Sequence, residues 1–217
     1  MIVDKHALSL EEQVYFDLKE EILSGELTKG STLTENSLSA RLGVSRTPIR
    51  AALHRLSEEG LIEMSTNRTS VVVGIGKEDL VDIYKIRMRL EGLASAEAAK
   101  KITAEDKQRL RDSVELAEFY IAKQDHEHLK ELDSEFHKII YKASGNRLLC
   151  KTLSDLHRNI HIYRKRSLAA GDRLERSVLE HKQILAAIER GDSAEADRLT
   201  SEHIEAALQN LILVTEN

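Results

Sequence analysis

The sequence predicts a mostly α-helical chain, an N-terminal winged helix-turn-helix followed by a C-terminal all-α six-helix bundle. Three observations predict it. A helix–turn–helix pattern over Asn36–Ser57 carries no Asp or Glu, in a chain where 37 of 217 residues are acidic. Two short strand-like runs, Leu61–Met64 and Ser70–Val73, follow at once around the polar tip Ser65–Thr69. From residue 79 to residue 217 there is no proline and no convincing strand.

Taken in order, Leu8–Leu23 sets Val14, Leu18, Ile22 and Leu23 among charges, an amphipathic helix with Ser9 as its cap. A loop with two glycines leads to Thr34, which caps the next helix. Leu38 and Leu42 share a face there, and Gly43 stops the helix. Ser45 then suits an N-cap, its hydroxyl taking an orphan backbone N–H. Pro48, the only proline, falls in the first turn, where its missing N–H costs little. Ile49, Ala52, Leu53 and Leu56 form the apolar face, with Arg46, Arg50, His54 and Arg55 on the other faces. A helix laid on phosphates cannot carry carboxylates at the contact, and arginine also bonds base edges. Arg46 and Arg50 are therefore the direct-contact candidates. Arg68, at the tip of the hairpin, could reach phosphate or a minor groove, or be a solvated loop charge.

Gly74–Lys77 reads as a hinge. The expected domains are residues 1–74, a linker at 75–78, and a helical domain at 79–217. Six helical blocks are expected: Asp79–Lys101, Ala104–Lys123, Glu127–Ala143, Arg147–Ala169, Arg173–Arg190 and Ser193–Val214. Thr103 and Asp192 read as caps. Such short connections make neighbouring helices antiparallel. A single cysteine, Cys150, excludes an internal disulfide framework, and no apolar run approaches a membrane span. The expectation is a soluble cytoplasmic protein. A formal net charge of −5 argues against a general nucleic-acid coat but not against a local reading head.

Polar residues interrupt the inner faces of the bundle. Arg87 and Glu91 lie in the stripe Leu80–Ile83–Tyr84–Leu90–Ala94–Ala98. They read either as an internal ion pair one turn apart or as an anion-binding group. His157 and Arg164 lie in the stripe Leu149–Leu153–Leu156–Ile160. Two helices each aiming an arginine inward suggest a polar cavity for a small anion, with Arg87, Glu91, His157 and Arg164 as its effector-binding candidates. Asp133 and His137 are four apart, a spacing that lets both bind one metal ion. His181 lies mid-stripe, and His203 lies among small residues. These four could converge into a three-nitrogen, one-oxygen site for Zn²⁺, Ni²⁺, Mn²⁺ or Co²⁺. The plain alternative packs the histidines in a core. His157 and His161 form a competing pair, with His161 facing away from the stripe.

With these residues in place, the chain resembles GntR-family bacterial transcription factors of the FadR subfamily, with an FCD ligand-binding domain of the six-helix, VanR-like group. The string GVSRTPIRAALHRLSEEGLIE, the segments LDSEFHKIIYKASGN and EHKQILAAIERGD, and the late His203 carry the resemblance. It implies Asp133, His137, His181 and His203 as ligands of a divalent metal, Zn²⁺ or Ni²⁺ foremost, which with nearby arginines holds a small organic acid. It implies Ser45, Arg46, Thr47 and Arg50 as DNA contacts. It also places Asn36 where the family frequently carries a basic contact residue. The function expected is a homodimeric repressor on a near-palindromic operator, controlled by a carboxylate metabolite and not an enzyme. The alternative is a metal-dependent hydrolase or lyase with a DNA-targeting head, for which Glu91 and Glu135 are the only general-base candidates.

Overall fold

A computed structural model describes residues 8–65, 69–168 and 171–215. The chain divides between Asp79 and Leu80 into two compact units.

The first unit holds three helices and a small sheet: α1 (Leu10–Ser24), β1 (Thr32–Thr34), α2 (Glu35–Leu42), α3 (Arg46–Glu58), β2 (Ile62–Met64) and β3 (Thr69–Val72). Ser9 and Glu12 close a capping box at the start of α1, and the Thr34 side chain accepts from the Ser37 N–H at the start of α2. The sheet order is β1-β3-β2, antiparallel throughout, with Leu33 opposite Ser70 and Glu63 opposite Val71. β1 has no counterpart in the sequence expectation. It is only three residues long, Thr-Leu-Thr, too short for alternation to register. The apolar stripe of α3 (Ile49, Ala52, Leu53, Leu56) is buried, as are Val14, Leu18 and Ile22 of α1 and Leu38 of α2. Each such side chain contributes about 1.5–3 kcal/mol by leaving water.

Two local expectations are corrected here. Ser45 stands at the N-cap of α3 with extended backbone, but its side chain makes no capping bond. Arg55 does not face solvent with the other cations. Its guanidinium lies 3.7 Å from the centre of the Tyr15 ring, where cation–π attraction and packing tie α3 to α1.

The second unit is all helical among the described residues: α4 (Lys77–Lys101), α5 (Ala104–Lys123), α6 (His126–Ala143), α7 (Arg147–Asn159), α8 (His161–Leu168), α9 (Arg173–Glu189) and α10 (Ser193–Thr215). Lys77 and Glu78, expected in a linker, belong to the first turn of α4, because the Gly76 N–H is taken by Asp79 Oδ2 at 2.8 Å. The caps at Thr103 and Asp192 form, each accepting a backbone N–H at 3.1 Å. The expected block Arg147–Ala169 is two helices. Ile160 leaves helical geometry (φ −108°, ψ 10°), so six blocks become seven helices. In a straight helix, residues seven apart are separated by about 10 Å along the axis. With the break, Arg164 Nη1 lies against the His157 ring, in contact with both of its nitrogens. The core is built from Ala94, Ala98, Leu110, Phe136, Ile140, Leu153, Ile184 and Ile188. No helix of the described residues is long and apolar enough to cross a membrane.

Candidate metal centre and nucleic-acid interface

Three helices of the second unit bring four titratable groups together. α6 presents Asp133 and His137 from one face, α9 presents His181 and α10 presents His203. All four are buried, at 5%, 1%, 4% and 4% exposure. One donor atom from each lies within 4.8 Å of the others. His137 Nε2 and His203 Nε2 are 3.2 Å apart. Two nitrogens bound at about 2.0–2.1 Å to one tetrahedral ion would be separated by about 3.3 Å. His181 stacks on Phe136, centroids 4.0 Å apart and planes 11° apart. Its Nε2 is buried with no hydrogen-bond partner and lies 3.7 Å from Asp133 Oδ1. An orphaned imidazole nitrogen beside a carboxylate and two facing imidazoles is a donor set that fits a divalent ion.

The groups around this cluster hold it in place. Asp133 Oδ2 accepts from Arg164 Nη2 at 2.5 Å, and Oδ1 accepts from Ser177 Oγ at 3.0 Å. The Glu180 carboxylate lies 2.6 Å from His203 Nδ1 and takes a two-pronged bond from Arg173, at 2.9 and 2.8 Å. Glu91 Oε1 accepts from Arg87 Nε at 2.7 Å, and its Oε2 lies 2.8 Å from His137 Nδ1. Burial disfavours the charged forms of Asp133, Glu91, His157, His181 and His203, and the neighbours decide the outcome. Burial would raise the Asp133 carboxyl, but the Arg164 charge outweighs it and holds the acid well below its ordinary range. Glu91 is held down likewise, burial being overcome first by Arg87. Burial pushes His203 from 6.5 down to about 4, against the pull of Glu180. Burial also pushes His181 and His157 well below the ordinary range, helped by His203 and by Arg164 respectively. Ionised carboxylate beside neutral imidazole is the protonation state that metal binding requires.

The expected effector residues are all buried: Arg87 and Glu91 at 1%, His157 at 6% and Arg164 at 7%. Arg87 pairs with Glu91, as one of its two sequence readings expects, and it also lines a narrow cavity. Tyr84, Asp133, Arg164, Ser167, Arg173 and His203 line the same cavity. Tyr84 Oη, Arg87 Nη1 and Arg173 Nε are buried without a hydrogen-bond partner. Arg173 and Glu180 escaped the sequence reading. For Arg173 the signal was the spacing Arg173–Ser177–His181–Ile184, which puts a cation on the inner stripe of α9; Glu180 carries no such signal. His161 does not join the cluster; its Nδ1 sits 3.1 Å from the Arg158 carbonyl.

In the first unit, Asn36, Ser45, Arg46, Thr47 and Arg50 are all exposed, at the N-terminal ends of α2 and α3. Arg50 is not a free cation. Its Nε and Nη2 donate to Glu35 at 2.7 and 2.8 Å, from just outside the acid-free stretch. Of its five N–H donors, those on Nη1 and the second on Nη2 are not part of this fork. Arg68 lies outside the described residues.

Comparison with known proteins decides the class of this arrangement. Residues 10–72 match the model for bacterial regulatory proteins of the gntR family, and residues 82–206 match the FCD domain. The chain belongs to the GntR family of transcriptional regulators and carries an FCD domain. It is similar to the uncharacterised HTH-type regulator YdhC of Bacillus subtilis, 28% identical over 94% of this chain and 92% of that protein. It is 26% identical to the repressor RspR of Escherichia coli, over 89% of this chain and 85% of the relative. It is 33% identical to the regulator McbR of E. coli over 70% of this chain and 68% of the other. The solved structure of E. coli McbR/YncC superposes with a TM-score of 0.72 at 27% identity, covering 97% of this chain and 100% of that one. A family member of this kind is a DNA-binding transcriptional regulator and not an enzyme. The hydrolase or lyase alternative falls with that assignment, and neither of its two carboxylate base candidates is free. Glu91 is locked to Arg87, and Glu135 is engaged by Arg109 at 2.8 Å on the partly exposed side of α6.

Proposed function

We propose that this regulator binds a divalent metal ion through Asp133, His137, His181 and His203, and that the ion and the surrounding arginines hold a small carboxylate-bearing effector that controls operator binding. The observation that carries the reading is the convergence of four buried donors within 4.8 Å, with His181 Nε2 left unpartnered among them. Zn²⁺ and Ni²⁺ suit a set of three imidazoles and one carboxylate. When bound, the ion supplies a positive charge that an effector carboxylate can ligate. The cavity beside it offers three unpartnered donors, Tyr84 Oη, Arg87 Nη1 and Arg173 Nε, which favour an anion.

In this reading the protein acts as a homodimer whose two α3 helices enter successive major grooves of a near-palindromic operator. Asn36, Ser45, Arg46, Thr47, Arg50 and Arg68 face the DNA, with Arg46 and Arg50 as the direct contacts. The effector relieves repression, which it does only by binding the DNA-competent and incompetent forms with different affinity. The deciding experiment is metal content per chain by elemental mass spectrometry on untagged protein, native against His181→Ala. One divalent ion per native chain and none in the variant is expected. No ion in either, even after adding Zn²⁺, would return the four residues to the role of packed core groups.

A further inference from the structure

We propose that Glu180 and Glu91 are positioning residues of the metal centre, each fixing one histidine in the tautomer that ligation needs and each anchored by a buried arginine. The proposal rests on the metal reading above and extends it to residues that touch no metal.

Three imidazoles converge, but two of them are held by the same device. His203 Nδ1 faces the Glu180 carboxylate at 2.6 Å, and Arg173 grips that carboxylate with two nitrogens. His137 Nδ1 faces Glu91 at 2.8 Å, and Arg87 grips that carboxylate at 2.7 Å. These are two Arg–Glu–His relays, one reaching the centre from α9 and α10 and the other from α4 and α6. An ionised carboxylate only accepts, so each carboxylate favours the imidazole proton on Nδ1. At His203 the Glu180 contact at 2.6 Å outweighs Arg173 Nη2, which lies 3.3 Å from the same nitrogen. At His137 the approach of Glu91 Oε2 is an ion-pair contact without hydrogen-bond alignment. The lone pair is then on Nε2, and the two Nε2 atoms meet at 3.2 Å. Two acceptors cannot hydrogen-bond one another. Only a cation placed at both, a proton or a metal ion, satisfies that contact. Isolated imidazole side chains favour the opposite tautomer, with the proton on Nε2. The carboxylates reverse that preference, as outer-shell carboxylates do for metal-bound histidine generally. His181 has no such partner and is held by its stacking on Phe136 instead.

The plain alternative is that Glu180 serves only to neutralise Arg173, which is 1% exposed. Substitution separates the two. The Glu180 side chain is 27% exposed, so water can replace it beside Arg173, whereas Glu91 is sealed against Arg87. Full-length protein is compared with Glu180→Ala and Glu180→Gln. In chelator-treated samples, long-range ¹⁵N–¹H spectra of the imidazoles report the tautomer. Zn²⁺ affinity is read by competition with a chromophoric chelator. Expected is a native His203 with its proton on Nδ1, moving to Nε2 in Glu180→Ala with about a 10- to 100-fold loss of Zn²⁺ affinity. Glu180→Gln still offers an acceptor oxygen, so it keeps the native tautomer and loses less affinity, about threefold or more. If Glu180→Ala does not fold, Glu180→Gln decides alone, and native affinity in it overturns the proposal. A native His203 protonated on Nε2, or unchanged Zn²⁺ affinity in Glu180→Ala, also overturns it while leaving the metal site standing. Native protein that takes up no Zn²⁺ overturns the metal reading itself.

Discussion

Removing either partner of the Arg87–Glu91 pair should destabilise the C-terminal unit far more than removing both. Each side chain is 1% exposed, and the guanidinium meets the carboxylate at 2.7 Å. Breaking a buried pair from one side leaves an uncompensated charge in a poor solvent for it, at a cost of about 3–5 kcal/mol. Glu91→Leu leaves Arg87 as that uncompensated charge and falls in this range. Arg87→Met leaves the Glu91 carboxylate facing only His137, so it falls in the same range. The double variant Arg87→Met/Glu91→Leu buries no charge at this point and removes the unpartnered Arg87 Nη1, so it should cost only about 1–2 kcal/mol. The coupling energy is then about 4 kcal/mol or more, large for neighbouring residues. A domain of this size loses about 4 °C of midpoint per kcal/mol, so each single variant should melt about 12–20 °C below the native protein. The assay is differential scanning calorimetry of full-length protein with chelator present, following the transition that the substitutions move. A double variant as unstable as the sum of the singles would refute the reasoning, because it would mean that the two charges do not stabilise one another.

Acid should destabilise the same unit before its carboxylates titrate. The unfolded His203 takes a proton near 6.5 and the folded one only near 4, so its contribution, about 3 kcal/mol, is present at pH 7 and lost as pH falls from 6.5 to 4. His157 and His181 act in the same direction, and stability that stays flat from pH 7 to pH 5 in chelator would contradict their burial as neutral rings. Zn²⁺ at about 100 times its dissociation constant should add about 2.7 kcal/mol to the native protein and nothing to His181→Ala, read as a midpoint shift. On a duplex selected by the native protein from random sequence, Arg46→Ala should lose about 1–3 kcal/mol of affinity while keeping its metal content; equal affinity would remove Arg46 from the reading surface. Glu35→Gln should leave Arg50 as an uncompensated cation, tightening binding to scrambled duplex and steepening its salt dependence by about 0.9 in log–log slope; an unchanged slope would mean that the Glu35–Arg50 pair does not screen that charge.

Much of this fold was legible because helix periodicity and caps are local properties. The stripes on α3, α4 and α6, and the caps at Ser9, Thr34 and Thr103, needed nothing from the rest of the chain. The Asp133 and His137 positions were legible for the same reason, as one turn of one helix. What escaped depended on partners distant in sequence. Arg173 and Glu180 read as two more charges on a charged helix until α10 brings His203 against them. The cover over Arg55 was not legible because the Tyr15 ring that supplies it lies on another helix. The break at Ile160 carries no glycine or proline, so no breaker marks it, and Arg164 N–H still bonds the Ile160 carbonyl across it. β1 becomes a strand only by pairing with β3.

The buried ionic inventory of the C-terminal unit has one further consequence. Arg87, Arg164 and Arg173 are matched one to one by Glu91, Asp133 and Glu180, so the interior is electrically balanced without any guest. A divalent ion entering among these imidazoles brings two charges beyond the three matched pairs. In so poorly polarisable a surrounding, such an excess is costly unless an anion arrives with it. Ion and effector would then load together. Each would raise the affinity of the other by the same factor. Under the proposed function, a shortage of the ion would therefore lower occupancy by the effector as well.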